Sequence, residues 1–222
     1  MNSFSFFLVT KEQHLNKFIL NKHYNGMLNT IKIMVLGTLL SFTTLTVKAP
    51  GWNIDKNHST FNFEITHFFT PVQGTFKDFN GELFFDPNDL ATSSANFSVK
   101  VSSVDTNNDK RDNDLRSEHF FEAEKYPLMK FVSSSFNKDG DSYVITGNLT
   151  IKNVTKEVKV PFKVLGLGQH PMKKNKVITA LKGEFTLNRN DYGVGTGNWA
   201  ATAVVGDEVK VSILLEASRN KD

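Results

Sequence analysis

Residues 60–69 read Thr-Phe-Asn-Phe-Glu-Ile-Thr-His-Phe-Phe, and this stretch decides the fold class. Phe61, Phe63 and Ile65 fall on one face of an extended chain, followed at the same spacing by His67 and Phe69. The positions between them are mostly polar. Alternation with a period of two is typical of a β-strand that has one face in a core and the other in water.

The same alternation recurs along most of the chain. It is clear in residues 97–101, 143–151, 158–164, 181–189 and 209–215, with shorter extended stretches near 75–79, 82–86 and 128–136. Turn-forming sequences separate these runs, at Asn80-Gly81, residues 86–89, residues 138–141 and residues 153–155. The pattern predicts an all-β domain of eight or nine antiparallel strands, which must close or sandwich to hide its edges.

The first 49 residues are predicted to be a leader, with the domain occupying residues 50–222. Lys32 precedes an apolar run from Ile33 to Leu40, and Val47-Lys48-Ala49 has the residue types that a signal peptidase reads. The signal peptide therefore spans residues 27–49, with cleavage expected after Ala49. An uncleaved anchor is the alternative, but the strongly apolar run is shorter than the roughly 20 residues of a membrane span.

Removing the leader changes the charge of the chain. The leader carries five lysines and one glutamate, so the remainder is close to neutral. A near-neutral domain gives no support for a nucleic-acid partner, whose binding depends on clustered Lys and Arg. Cysteine is absent, so no disulfide framework is expected in an exported protein.

A dense polar insert interrupts the strands at residues 105–116, where seven of twelve residues carry charged side chains. A short amphipathic helical turn is expected directly after it, at Ser117–Lys125. So much charge between two strands indicates the mouth of a cavity whose wall is formed by the rest of the chain. Arg111 and Asp112 are the candidate polar residues of that mouth.

Fifteen of the twenty phenylalanines lie after residue 49, and most fall on inward faces. A barrel of eight strands has an interior that side chains just fill or that holds one small ligand. Periodicity does not distinguish a filled core from a hollow barrel, so both stay open. If the barrel is hollow, the residues predicted to line its apolar cavity are Phe61, Phe63, Ile65, Phe97, Val99, Ile145, Leu149, Phe162 and Phe185.

Arg189 continues the inward series of residues 181–187, so its side chain starts on the apolar face near the end of a strand. A buried guanidinium requires a partner. One interpretation is a clamp with an aspartate, for which Asp191 is the nearest candidate. The other is that Arg189 and Arg111 hold the polar head of a ligand.

Catalytic and metal-binding patterns do not assemble in the sequence. His58 and Glu64 have opposite parity to His67, so the three are not expected to converge on a metal. There is no Gly-x-Ser-x-Gly sequence and no cysteine nucleophile. The glycine-rich residues 193–197 lack the βαβ context of a dinucleotide site and predict a flexible loop. No catalytic residue, metal or cofactor is predicted.

Taken in order, several short motifs resemble the YceI-like family of exported lipid-binding proteins, over about residues 52–217. The matching motifs are Trp52-Asn53-Ile54-Asp55 with His58-Ser59, Gly74-Thr75-Phe76 with Phe79-Asn80-Gly81, Val104-Asp105-Thr106, Arg111-Asp112, Phe120-Phe121, Tyr126-Pro127, residues 147–151 and Asn188-Arg189 with Asp191-Tyr192-Gly193. The resemblance implies a lipocalin-like antiparallel β-barrel with one short helical insert. It also implies a periplasmic location and a cavity that holds an isoprenoid lipid, such as a quinone or a polyprenyl lipid.

The expected function is that of a non-enzymatic carrier with an isoprenoid partner, a transient contact with membranes and no bound cofactor other than the lipid. Family members are often dimers, although no surface pattern in this sequence demands a homodimer. Two alternatives remain. One is a small hydrolase or isomerase that uses Asp105, Asp112, Asp191 or His67 beside the same pocket. The other is a stress-response module with a filled barrel.

Overall fold

The computed structural model describes residues 48–221. The predicted signal peptide lies outside this range apart from Lys48 and Ala49, so its processing stays a prediction. Ala49 is buried and its amide donates a hydrogen bond to the Thr92 carbonyl, so the contacts of the domain begin just before residue 50.

Ten β-strands and one α-helix form the described domain. The strands are β1 (Gly51–His67), β2 (Thr70–Phe76), β3 (Phe79–Phe84), β4 (Ser94–Lys100), β5 (Val104–Asp105), β6 (Leu128–Asp139), β7 (Ser142–Ile151), β8 (Val154–Gln169), β9 (Lys176–Asn188) and β10 (Val205–Asn220). The helix α1 spans Asp109–Arg116, between β5 and β6.

Eight of the strands close into an antiparallel barrel. They follow the order β1-β3-β4-β6-β7-β8-β9-β10, and β10 pairs with β1 to complete the ring. The short β2 and β5 are additional, because β2 pairs with the second half of β1 and carries β5 on its other side. The predicted all-β barrel of eight or nine strands is confirmed, and closure removes the exposed edges that an open sheet would have.

The helical insert begins earlier in the chain than the sequence predicted. The turn expected at Ser117–Lys125 is a series of turns, and the regular helix is α1, inside the polar insert. Its start is set by Asn108, whose side chain accepts a hydrogen bond of 3.0 Å from the Arg111 amide. Asp109 and Asp112 in the first turn complement the helix dipole, as does Arg116 in the last turn.

The turn predicted at Asn80-Gly81 is wrong. Both residues lie within β3, where Gly81 pairs with Phe97 of β4. A methyl group at Gly81 would collide with the ring of Phe97, so the glycine is required for the close approach of this ring. Residues 77–78 interrupt the strand without reversing the chain, because β2 and β3 both run antiparallel to β1.

Inward-facing side chains form two apolar clusters. The larger one packs around Trp52, Phe79, Leu83 and Phe85, and the smaller one joins Phe120 to Ile151, Tyr192 and Val194. Among residues 48–221, no helix is both long enough and apolar enough to cross a membrane.

Candidate ligand-binding site

A cavity of about 490 Å³ occupies the barrel interior. All nine residues predicted to line a hollow barrel border it, from Phe61 on β1 to Phe185 on β9. Their placement follows from strand parity, whereas their contact with a ligand stays a prediction. The volume lies within the range of about 300–1,000 Å³ that is typical of small-molecule sites.

Aromatic rings close one end of this cavity. Phe85 is 1% exposed and lies edge-on to Tyr143 and Phe162, with ring centroids 5.6 and 5.7 Å apart. Phe136 packs against Phe162 at 6.1 Å. These interlocked rings form a floor, so this end offers no route for a ligand.

The opposite end carries the polar rim. Four segments lie at this end, because each joins or follows strand ends on the same side of the barrel. They are the β1–β2 turn, α1, the β7–β8 turn and residues 189–204. Lining residues that reach solvent here include His67, Asn108, Lys110 and Asp114. The polar insert thus forms part of the mouth, as the sequence indicated.

A buried pair of side chains fixes α1 to the barrel. Asp112 is 5% exposed, and its Oδ1 accepts hydrogen bonds from the Thr106 hydroxyl at 2.6 Å and the Thr106 amide at 3.0 Å. Asp112 does not border the cavity, so its predicted place in the ligand-contacting mouth is corrected to a structural one. The reason is that its carboxylate is directed to the chain just before the helix.

Arg111 does border the cavity. Its Nε donates to the Thr106 hydroxyl at 2.7 Å and its Nη2 donates to the Thr106 carbonyl at 2.8 Å. Among the hydrogen bonds of residues 48–221, Arg111 Nη1 takes part in none, and the same holds for Lys110 Nζ. The rim therefore presents two cations with unused donors beside an apolar cavity.

The structure corrects both interpretations of Arg189, the clamp with an aspartate and the contact with a ligand head group. It is 3% exposed, but its partners are backbone carbonyls rather than Asp191. Its guanidinium donates to the carbonyls of Gly206, Val194, Gly195, Trp199 and Val205 at 2.7–3.2 Å, and to Asn190 Oδ1 at 3.1 Å. All three of its nitrogens are engaged, so no donor remains for a head group, although the side chain borders the cavity.

Burial lowers the pKa of the Arg189 guanidinium from its ordinary value, and the charge of Asp207 opposes this shift. The side chain nevertheless stays charged, because arginine is not deprotonated in proteins. Arg189 therefore ties residues 194–206 to the end of β9. Gly195 permits this, since a methyl group there would collide with Arg189 Nη1 and its φ of 83° favours glycine.

The carboxylates considered for catalysis do not converge. Asp191 forms a surface ion pair with Lys156 at 3.0 Å and does not border the cavity. Asp105 pairs with Lys77; the hydrogen bond from Lys77 lowers the pKa of Asp105, and Asp105 raises the pKa of Lys77. Only His67 of the four candidates borders the cavity.

The parity of His58, Glu64 and His67 was predicted to keep them apart, and in the structure each has different surroundings. Glu64 accepts from Gln73 and Lys210, and these hydrogen bonds lower its pKa. His58 lies 3.0 Å from Asp55 and 3.8 Å from Glu216, on the outside of the cavity.

Asp55 and Glu216 stand opposite each other in the β1–β10 register, just before an irregularity in β1 that brings His58 back over both. The ligand atoms of these three residues lie within 4.8 Å of one another. The hydrogen bond that Asp55 accepts from the His58 ring raises the pKa of His58 and lowers the pKa of Asp55. No sequence pattern indicated this group, because Glu216 is far along the chain from Asp55 and His58.

Several lining residues escaped the sequence interpretation because they come from loops or neighbouring strands. Phe121 lies in a series of turns and Trp199 in a short 3₁₀ helix, where the two-residue periodicity of a strand does not apply. Trp199 packs on Phe120 with ring centroids 5.5 Å apart, and the Thr196 amide donates to the His119 carbonyl at 2.8 Å. These contacts join the segment after α1 to residues 189–204.

A closed antiparallel barrel with an apolar interior, a sealed floor and a polar rim defines the class of ligand-binding β-barrels. The geometry resembles a binding domain rather than an enzyme, because the candidate acids and bases are dispersed.

The chain belongs to the YceI-like domain family, whose pattern it matches over residues 52–217. It is 36% identical to a UPF0312 protein of Enterobacter sp. strain 638 over 191 residues, which is 85% of this chain and 96% of that protein. It is also 36% identical to the protein YceI of Salmonella arizonae over 185 residues, covering 82% of this chain and 94% of the relative.

Solved structures show the same fold. The crystal structure of Burkholderia cenocepacia BcnA aligns with a TM-score of 0.68 and 30% identity, covering 74% of this chain and 99% of BcnA. A polyisoprenoid binding domain from Saccharophagus degradans aligns with a TM-score of 0.56 over 77% of this chain and 98% of that domain. At 15% identity, the second likeness shows the fold alone.

Proposed function

We propose that this protein binds a long-chain isoprenoid lipid, of quinone or polyprenyl type, in the barrel cavity and carries it through the periplasm. The observation that carries the proposal is the apolar cavity with its cationic rim at one end only. A molecule with an apolar chain and a polar head matches this distribution. The name of the Saccharophagus degradans domain, which shares the fold, is consistent with the same ligand class.

The cavity favours a carrier over the filled-barrel alternative, because open apolar volume serves no purpose in a module that acts through its surface. It also favours a carrier over a hydrolase or isomerase. Of the proposed acids and bases, Asp105 is paired with Lys77, Asp112 with Thr106 and Asp191 with Lys156, which leaves His67 without a partner acid at the cavity.

Energetics permit loading and unloading. Each buried CH₂ group stabilises the bound chain by about 0.8 kcal/mol relative to water, so release into solvent is negligible. A bilayer interior is as apolar as the cavity. Transfer between the two is then close to balance, which is the condition that a carrier requires.

The head of the lipid is proposed to lie at the rim, near Lys110 and Arg111. Their free donors can bond a carbonyl or a phosphate oxygen, whereas Arg189 has none to offer. This assignment replaces Arg189 by Lys110 as the second cation of the polar mouth.

Filling the cavity tests the proposal. Ile145→Trp places extra volume inside the barrel, and we expect it to weaken binding of a fluorescent isoprenoid much more than it lowers the melting temperature. Asn148→Trp is the matched control, because Asn148 lies on the same strand and is exposed. In a filled core, Ile145→Trp would instead cost about 1–3 kcal/mol of stability by overpacking. That loss, without any change in isoprenoid binding, would contradict the proposal.

The periplasmic location rests on the predicted signal peptide. Mass spectrometry of the exported protein is expected to show an N-terminus at Pro50 or within one or two residues of it. Recovery of residues 27–49, intact, in the membrane fraction would indicate an anchor instead.

A further inference from the structure

We propose that the β1–β2 turn, formed by Phe68 and Phe69, docks the protein on a lipid bilayer and brings the mouth of the cavity to the membrane. Phe68 is 56% exposed and Phe69 is 99% exposed. Two adjacent phenylalanines in water are an unfavourable arrangement for a folded domain. The strand prediction had placed Phe69 on the inward face, but β1 ends at His67 and the chain turns before that position.

The turn geometry does not explain these residues. Phe68 has a φ of 51°, a conformation that favours glycine or asparagine and is unusual for a bulky side chain. Two-residue hairpin turns are best formed by Asn-Gly or Gly-containing pairs. Phe68 is therefore strained in the turn and packs edge-on against His67 with ring centroids 4.5 Å apart, whereas Phe69 is almost fully exposed. Neither ring belongs to the core of the barrel.

The hairpin is part of the mouth. Ile65, His67 and Val72 from its two strands border the cavity, and the Phe68 amide donates a hydrogen bond of 2.9 Å to the Val204 carbonyl. On the outer side of β2 lies β5, and α1 follows β5 after residues 106–108. If the hairpin inserts into a bilayer, the mouth of the cavity lies against the lipids.

The chemistry of the hairpin suits a bilayer. Residues 65–76 contain no Asp, Glu, Lys or Arg, so nothing charged accompanies the two rings into the interface. Aromatic side chains are favoured at the boundary between lipid and water.

The exposed area argues against a protein partner. A phenylalanine buries about 150–250 Å² when fully covered, so the two rings offer on the order of 300 Å². A stable protein interface requires about 800 Å² from each partner. The turn is therefore too small to hold a second copy of the chain but adequate for a reversible membrane contact.

The test is co-sedimentation of the domain with phosphatidylcholine vesicles. In the Phe68→Asn/Phe69→Gly variant we expect vesicle affinity to fall roughly tenfold or more, because the burial of both rings is lost. The melting temperature is expected to stay the same or rise, since asparagine tolerates the positive φ at position 68 better than phenylalanine and glycine accepts the conformation at position 69. Binding by the parent protein should persist in molar salt, because it does not depend on screened charges.

Met172→Ser is the matched control. Met172 is 85% exposed in the β8–β9 hairpin at the sealed end of the barrel, and Lys173 and Lys174 follow it. We expect this variant to bind vesicles as the parent does. Docking that is lost in Met172→Ser would assign the contact to the opposite end of the barrel. Docking that disappears in molar salt would assign it to charged groups. Either result would overturn the proposal.

The proposal rests on the proposed function for its purpose, but the two fail separately. Isoprenoid delivered in detergent micelles measures cavity binding without a bilayer, and we expect it to be unchanged in the Phe68→Asn/Phe69→Gly variant. No vesicle binding by the parent, or equal binding by the variant, would overturn the docking site alone. A dimer that becomes monomeric in the variant would assign the turn to a second copy and would also overturn it.

Discussion

The hydroxyl of Thr106 lies 2.6 Å from Asp112 Oδ1, and the same hydroxyl accepts a hydrogen bond from Arg111 Nε at 2.7 Å. One side chain thus positions both the buried acid that holds α1 and the cation that faces the cavity. The polar rim depends on this arrangement, because Thr106 directly follows β5 and is fixed by the sheet.

Replacing Asp112 by alanine is expected to lower the free energy of unfolding by about 1.5–3 kcal/mol, the range for a hydrogen bond that involves a charged group. Chemical denaturation measures the change. Asp114→Ala is the control, because Asp114 is exposed on the same helix, and a change within about 0.5 kcal/mol is expected there. Equal effects of the two substitutions would show that the Thr106–Asp112 pair does not hold the helix.

Replacing Arg189 by methionine is expected to destabilise the lipid-free domain by at least about 3 kcal/mol, because several buried carbonyls lose a charged donor together. Hydrogen exchange should rise in residues 194–206. Arg116→Met is the control, since its guanidinium bonds Asn113 and Val104 near the surface. Normal stability of Arg189→Met with weaker binding of polar-headed lipid would restore a head-group role for this arginine.

Replacing Lys110 by methionine is expected to leave stability unchanged and to weaken binding of a polar-headed isoprenoid by about two- to fivefold, as for an exposed charged contact. Binding of a hydrocarbon with the same chain should not change. Lys163→Met, on the outer side of β8, serves as the control. A uniform loss for both ligands would place the head group elsewhere.

The His58–Asp55 pair predicts a pH effect of defined sign. The pKa of His58 is raised in the folded state, so its stabilising contribution is complete below the unfolded value of about 6.5. It is lost as the pH rises through the higher folded value. We expect the melting temperature of the parent relative to His58→Gln to fall across this interval, by a small amount because the groups are exposed.

The lowered pKa of Asp55 affects the stability of the domain at acidic pH. Its contribution is present above the unfolded value near 3.8 and is lost as the pH falls through the folded value. His170→Gln is the control for the histidine measurement, since within residues 48–221 the His170 side chain accepts a hydrogen bond from the nearby Met172 amide and has no acidic partner. A difference between parent and His58→Gln that does not vary with pH would contradict this account of the pair.

The inward faces of the strands were predictable because parity is a local property. Phe61, Phe97 and Ile145 point inward in the sequence pattern and in the structure alike. Parity fails where a strand ends, and Phe69 is exposed because β1 stops at His67. A dipeptide that usually turns, Asn80-Gly81, stays extended because Gly81 faces the ring of Phe97, a contact between two strands.

The polar residues were harder to assign because their partners are distant or belong to the backbone. Parity correctly indicated that Arg189 is buried. An acidic partner was expected because a sequence shows which side chains are available but not which backbone carbonyls lie nearby. Backbone carbonyls of residues 194–206 accept the hydrogen bonds of the Arg189 guanidinium instead. The side chains of these residues do not indicate that role. The helix in residues 109–116 was masked by its charge, although Asn108 is a clear cap once the helix is known.

Solvent extraction of the purified domain, followed by mass spectrometry, measures whether the barrel carries an isoprenoid lipid. Protein exported from cells whose membranes contain isoprenoids is predicted to release one isoprenoid molecule per chain, in reduced amount from Ile145→Trp and in full amount from Asn148→Trp. A folded domain that releases no isoprenoid, and takes up none after delipidation, would show that the barrel is not an isoprenoid carrier.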